Sequence, residues 1–158
     1  MEKDLEKNPW VTLKEETVYE SAWIRVDKHD VLNPAGNPGE YSVIHFKNIA
    51  IGIIALDDDL NTWIVGQYRY ALKAYSWEIP EGGGKLDVAP LESAKRELLE
   101  ETGIIAQDWS VIQQMHLSNS VSDEQAIIYL AKGLTFGAPD PEETEELNVR
   151  KLPFEELY

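Results

Sequence analysis

The sequence predicts an α+β domain with a mixed β-sheet, and three observations carry that expectation. Strand-like segments lie on both sides of one strongly periodic helix. Residues 49–56 are almost entirely apolar, as in a strand buried on both faces. Residues 23–31 alternate apolar and polar, as in a strand buried on one face. The chain has 158 residues, 43% of them apolar, enough for a real core.

The elements follow in order. Residues 1–20 read as a polar lead-in with short strands at 10–13 and 17–19. The strand at 23–31 is followed by the turn-rich loop 33–39 and by a strand at 41–46, so these two form a hairpin. The buried strand 49–56 meets an acidic turn at Asp57, Asp58 and Asp59, which reads as a solvated hairpin tip rather than a metal site. Residues 62–70 are the returning strand, and 77–80 lead into a glycine loop at Gly82, Gly83 and Gly84. A helix begins at Pro90, whose missing N–H would have no intrahelical partner in the first turn. Leu91, Ala94 and Leu98 form its apolar face, and Gly103 marks its stop. Strands at 109–117 and 126–131 flank the loop 118–123. The loop 137–141 precedes an acidic run, a final strand at 147–152 and a terminal helix from Pro153.

The helix carries the chemistry. Glu97 and Glu101 are four residues apart and project from one side, with Glu100 flanking them. Taken alone, this set reads first as a solvated acidic helix face. The glycine run just before it changes the reading, because backbone without side chains lets a ligand approach closely. Three gathered carboxylates repel one another, and a hard cation relieves that repulsion; Mg²⁺ is expected, with Mn²⁺ as the alternative. Arg96 adjoins Glu97 in sequence without stacking on it. It is expected to brace a loop or a neighbouring carboxylate rather than neutralise the cluster.

Composition excludes several classes. The net charge of −15 argues against binding a nucleic-acid backbone. No apolar run approaches the roughly 20 residues of a membrane span, and the charged N-terminus lacks a signal peptide's apolar stretch. The absence of cysteine removes disulfides and thiolate metal sites and is compatible with a cytoplasmic location. For an anionic substrate, metal ions would invert the local field.

Gly82, then Arg96-Glu97-Leu98-Leu99-Glu100-Glu101-Thr102-Gly103-Ile104, resembles the Nudix box. Eight of nine specified positions match; Val88 stands where the box has its first glutamate. The segments Gln67-Tyr68-Arg69-Tyr70 and Trp77-Glu78-Ile79-Pro80-Glu81-Gly82-Gly83 resemble the ADP-ribose and nucleoside-diphosphate-sugar hydrolase branch. The resemblance implies an α/β/α sandwich with an N-terminal β-hairpin extension. It implies an extension over 1–46 for homodimerisation and base binding, and a catalytic domain over 47–158. It implies metal-dependent hydrolysis of a nucleotide-sugar pyrophosphate bond. Glu97, Glu100, Glu101 and the Gly82 carbonyl would hold metal. Arg69, Gly83 and Glu78 would face the substrate, with Glu78 also a partner for Arg96 or metal; read from the residues alone, Arg69 also suits a structural ion pair with a sheet carboxylate, and Glu78 could equally be solvated. Trp23 or Tyr68 would stack the base, with Trp10 and Tyr19 as further candidates, although each taken singly reads first as core or dimer interface. Glu143, then Glu145, would act as base, the other reading of that run being a solvated acidic loop. That branch's ADP-ribose members carry a proline some fifteen residues past the box. This chain has none between Pro90 and Pro139, which favours a hexose-linked substrate such as GDP-mannose. ADP-ribose hydrolysis is the alternative. A non-catalytic nucleotide-sugar sensor is a further one, supported only by Val88.

Overall fold

The computed structural model describes residues 6–140 and 146–157. Its residues divide into two compact units, one running to Lys47 and including Leu117–Glu124, the other comprising the rest.

The first unit is an antiparallel sheet of β1 (Val11–Glu20), β2 (Ile24–Leu32) and β3 (Pro38–Phe46), in that order. The hairpin expected over 23–46 is β2–β3, with Val26 opposite Ile44. The two short strands expected in the lead-in are one strand. β1 pairs along β2 with register breaks between Thr12 and Lys14 and between Thr17 and Tyr19, irregularities that bend a strand without ending it. The 117–124 segment docks on β3 through the Ile44 N–H on the Val121 carbonyl (2.8 Å) and His45 Nδ1 against Asp123 Oδ2 (2.6 Å). Every residue of β1 is exposed, including Val11, Leu13, Val18 and Tyr19.

The second unit has two sheets and one described α-helix. The larger sheet runs β7 (Glu81–Lys85), β4 (Asn48–Ala55), β9 (Gln125–Phe136), β8 (Ile104–His116). β4 and β9 are parallel and the other pairs antiparallel, so the sheet is mixed as expected. β4 lies inside it, which explains its apolar run. The smaller sheet runs β10 (Asn148–Pro153), β5 (Asn61–Arg69), β6 (Ala74–Glu78). The expected return of β5 alongside β4 is therefore corrected. After one bridge between Leu56 and Thr62, β5 leaves β4 and pairs with β10 and β6. The helix α1 (Pro90–Thr102) packs Ala94 and Leu98, both 0% exposed, into a core with Ile51, Ile53, Trp63, Ile104 and Tyr129. Only a 3₁₀ turn, Phe154–Leu157, stands at the expected terminal helix.

The acidic turn after β4 is a brace. Asp57 accepts the Asn61 N–H at 2.7 Å and pairs with Lys151 at 2.8 Å, and Lys151 lies over the Trp63 ring. The Lys151 hydrogen bond first, then the Asn61 N–H, hold the Asp57 carboxyl at about 2, below its ordinary 3.8. A lowered folded-state pKa gives stability that is present above the unfolded pKa and lost on acidification. The melting-temperature gap between wild type and Asp57→Asn is therefore expected at pH 6. It closes as pH falls from about 4 toward 2.

Candidate active site

The glycine run is a strand rather than a loop. Gly82, Gly83 and Gly84 lie in β7, opposite Ile51, Ala50 and Ile49 of β4. Alternate positions face opposite sides. A Cβ on Gly82 would stand 2.1 Å from the Glu97 carboxyl carbon, and one on Gly84 would be 3.3 Å from Ser93 Oγ. A Cβ on Gly83 would meet Asn48 instead, at 2.5 Å. The glycines are thus what lets α1 lie close against the sheet. They also bring the Glu97 carboxylate onto backbone.

The helix presents its acids to this strand. Glu97 (8% exposed) and Glu101 (2%) are buried beside Ala94 and Leu98, whereas Glu100 is more open. Glu101 Oε2 accepts the Glu81 N–H at 3.0 Å. Pro90 begins the helix, and Gly103 ends it at φ 71°, its N–H capping the Leu99 carbonyl at 2.8 Å.

Arg96 does more than brace a loop. It reaches the Gly83 carbonyl at 3.3 Å, as the bracing expectation requires. It also pairs with Glu97 at 2.5 Å and Glu100 at 2.6 Å, so it does neutralise part of the cluster. A guanidinium fork on a long side chain reaches forward along its own turn to acids one and four residues on, which the backbone position alone does not show. Burial works against its charge, but the two carboxylates outweigh that and raise its pKa.

Arg69 sits at the end of β5 in a second acid set. Its Nε and Nη2 grip both Glu78 oxygens at 2.6–3.1 Å, and Nη2 also reaches Glu81 Oε1 at 2.5 Å. Glu78 is therefore Arg69's partner, not Arg96's, because β5 and β6 are neighbours in one sheet. Burial pushes the Glu78 carboxyl up, but hydrogen bonds from Arg69 and Ser76 bring it below its ordinary value. Sequence reasoning missed Glu81. An acid immediately before the glycine run was the available signal.

The aromatic candidates are exposed. Tyr68 is the strand neighbour of Arg69, on the opposite face of β5, and pairs with Tyr75 across the strands. In the first unit, Trp23 is 72% exposed in the turn before β2, Tyr19 is exposed on β1, and Trp10 packs edge-on against Tyr41 at 5.4 Å. Glu143 and Glu145 lie outside the described residues. The described stretch 137–140 is tied to the end of α1: the Gly137 N–H donates to the Gly103 carbonyl (2.6 Å) and the Asp140 N–H to the Glu100 carbonyl (2.9 Å).

The donor set fits a hard divalent cation. It offers carboxylate and carbonyl oxygens, with Glu97 cradled on Gly82. Among the described residues no three acid or imidazole side chains are already gathered closely enough to hold an ion. Arg96 supplies Glu97 and Glu100 with positive charge in this arrangement. Gly82→Ala tests the cradle. The new methyl meets the movable end of Glu97 rather than backbone, so the melting temperature is expected to change little. Divalent-ion affinity is expected to fall roughly 10- to 100-fold, the scale of a disturbed ligand support; isothermal titration with Mn²⁺ reads it.

Comparison with known proteins fits this geometry. Residues 7–44 match the nucleoside diphosphate sugar hydrolase N-terminal domain family. An ADP-ribose pyrophosphatase of Mycobacterium tuberculosis is 36% identical over 85% of this chain and 65% of its own length. A methanol dehydrogenase activator of Bacillus methanolicus is 29% identical over 78% of this chain and 66% of its own. The chain thus spans just under two thirds of the length of these two relatives. A solved ADP compounds hydrolase shares the fold, with a TM-score of 0.82, 23% identity, and coverage of 92% of this chain and 79% of that one. Among the described residues, no helix is long and apolar enough to cross a membrane. Residues 46–158, the whole segment carrying the glycine strand and the acid helix, match the NUDIX domain, and the chain belongs to the Nudix family.

Proposed function

We propose that this protein hydrolyses the pyrophosphate bond of nucleoside diphosphate sugars in a metal-dependent reaction, giving a nucleoside monophosphate and a sugar 1-phosphate. The observation that carries this is the buried Glu97 and Glu101 pair on the glycine strand, beside the Arg69 fork. The match of residues 7–44 to a nucleoside diphosphate sugar hydrolase domain supports the substrate class.

Glu97, Glu100, Glu101 and the Gly82 carbonyl would hold Mg²⁺, with Mn²⁺ as the alternative. When bound, such ions neutralise pyrophosphate oxygens and acidify water. Arg69 presents a guanidinium held in place by Glu78, suited to a fork on phosphate oxygens. Arg96 ties the glycine strand to the helix acids and keeps Glu97 aimed at Gly82. Glu143, or Glu145 in its place, removes the proton of the attacking water. The new bond is oxygen to phosphorus, and the bridging oxygen leaves with the other phosphate. The apolar residues along exposed β1 support a homodimer formed through the N-terminal unit, and Trp23 or Tyr68 would stack the base.

A second reading is ADP-ribose hydrolysis to AMP and ribose 5-phosphate, favoured by the name of the 36% identical relative. Incubation with Mg²⁺ and GDP-mannose, ADP-glucose, UDP-glucose or ADP-ribose, with products weighed by mass spectrometry, separates the two. Hexose 1-phosphate supports the first reading. Cleavage of ADP-ribose alone supports the second.

A further inference from the structure

Asn48, the first residue of β4, is half-buried, and among the described residues its amide makes no hydrogen bond. A polar group part-way out of water without a partner is unfavourable, so a partner from outside the chain is favoured. The ladder fixes where the amide stands. Asn48 lies opposite Lys85, and Gly52 lies opposite Glu81. Opposed residues share a face, and so do positions two apart along a strand. Asn48, Lys85, Gly83 and Glu81 are therefore on one face of the β4–β7 pair. Gly82, with the Glu97 carboxylate on it, is on the other. The amide rests on Gly83: a Cβ there would stand 2.5 Å from its nitrogen and 3.6 Å from its carbon. On this same face the Glu81 side chain meets Arg69 Nη2, which puts the proposed phosphate fork on Asn48's side of β7. Gly83 is two residues along the strand from Glu81, roughly 7 Å. That is the reach from a phosphate across an attached sugar ring. A carboxamide offers both a donor and an acceptor, as sugar hydroxyls do. A phosphate offers acceptors only, and is better matched by the Arg69 fork.

We propose that Asn48 is a substrate-contacting residue, its amide seated on bare Gly83 and hydrogen-bonded to hydroxyls of a sugar joined to the diphosphate that Arg69 holds. Those hydroxyls belong to the ribose or to the second sugar, one on each side of the diphosphate. The inference rests on the proposed role of Arg69 and on the pyrophosphate substrate. A contact made away from the reacting phosphorus is equal in ground and transition states, so it acts on KM rather than kcat. Gly83 then serves to seat the amide. A methyl added there meets the movable end of Asn48 rather than backbone, so Gly83→Ala displaces the amide without unfolding the strand.

The experiment measures kcat and KM with Mg²⁺ for wild type, Asn48→Ala, Gly83→Ala and the double variant, on whichever of GDP-mannose and ADP-ribose is cleaved. Asn48→Ala should raise KM roughly 3- to 10-fold and leave kcat within about twofold. Gly83→Ala should do the same, and the double variant should be no worse than Asn48→Ala alone. Two competitive inhibitors then identify the ring. One is the matching nucleoside diphosphate methyl ester, which lacks the second sugar; the other is the 2′,3′-dideoxynucleotide sugar, which lacks the ribose hydroxyls. The weakening caused by Asn48→Ala should vanish for the one without the hydroxyls that Asn48 reads. An unchanged KM overturns the proposal, as do equal weakening of both inhibitors and additive losses in the double variant. Should Asn48→Ala fail to fold, Gly83→Ala carries the same inhibitor comparison. If wild type cleaves its substrate and the variants match it, the functional reading stands without this residue. If wild type cleaves neither substrate, both fall.

Discussion

Glu101→Gln is expected to lower kcat on the order of a thousandfold, about 4 kcal/mol in the barrier, while the protein stays folded. The carboxylate is 2% exposed and holds the Glu81 N–H through Oε2. Glutamine keeps the shape and can keep that acceptor, so the helix and β7 stay in register. What it removes is a negative charge buried where a hard cation would sit. Since burial of a charge is itself unfavourable, the melting temperature without metal should hold or rise. Glu100→Gln is the contrast. Its carboxylate is more open and is already paired with Arg96, so roughly tenfold is expected. Comparable small losses for both would remove Glu101 from the metal site. Measurement of kcat at saturating Mg²⁺, beside a melting curve without metal, decides between them.

Gly103→Ala is expected to cost about 2 kcal/mol or more and to reduce turnover as well. Gly103 holds φ 71°, where a side chain is strained, and a Cβ there would stand 2.7 Å from the Gly137 carbonyl and 3.0 Å from the Pro139 nitrogen. Those neighbours are backbone and cannot swing aside as the end of Glu97 can. The displaced stretch is the one tied to α1 by the Gly137 and Asp140 amides. Its displacement disturbs the last turn of α1, which carries Glu100 and Glu101, so the proposed metal-binding acids are shifted. Gly133→Ala separates the two effects: Gly133 has φ 67°, but the atoms nearest a Cβ there belong to the side chains of Gln107 and Asp108. Denaturant melts should show both variants weakened, and only Gly103→Ala should lose turnover beyond what instability explains.

Much of α1 was legible because local rules and tertiary packing agree there. Pro90 and Gly103 bound it, and Ala94 and Leu98 enter the core. The hairpin over residues 23–46 was legible for the same reason, since its alternation matches its register. The glycine strand was not, because Gly82–Gly84 have no side chains to show a period of two. Their strand state comes from pairing with β4 and from helix acids packed on their bare faces. The departure of β5 from β4 was hidden too, since an Asp-rich turn suits a hairpin as well as a crossing between sheets. The Arg69–Glu78 pair depends on that sheet assignment, which is why Glu78 was given other partners. Arg96 was placed by its backbone position alone, whereas the fork at the end of its side chain reaches two acids and a carbonyl.

The helix acids are proposed to work with a divalent cation on a nucleotide-sugar pyrophosphate. The most direct measurement is the mass of the products from GDP-mannose with Mg²⁺, after chelation, and after Mg²⁺ is restored. GMP and mannose 1-phosphate are expected, lost on chelation and recovered with the metal. Intact GDP-mannose held tightly by the protein, with every other nucleotide sugar also uncleaved, would contradict it.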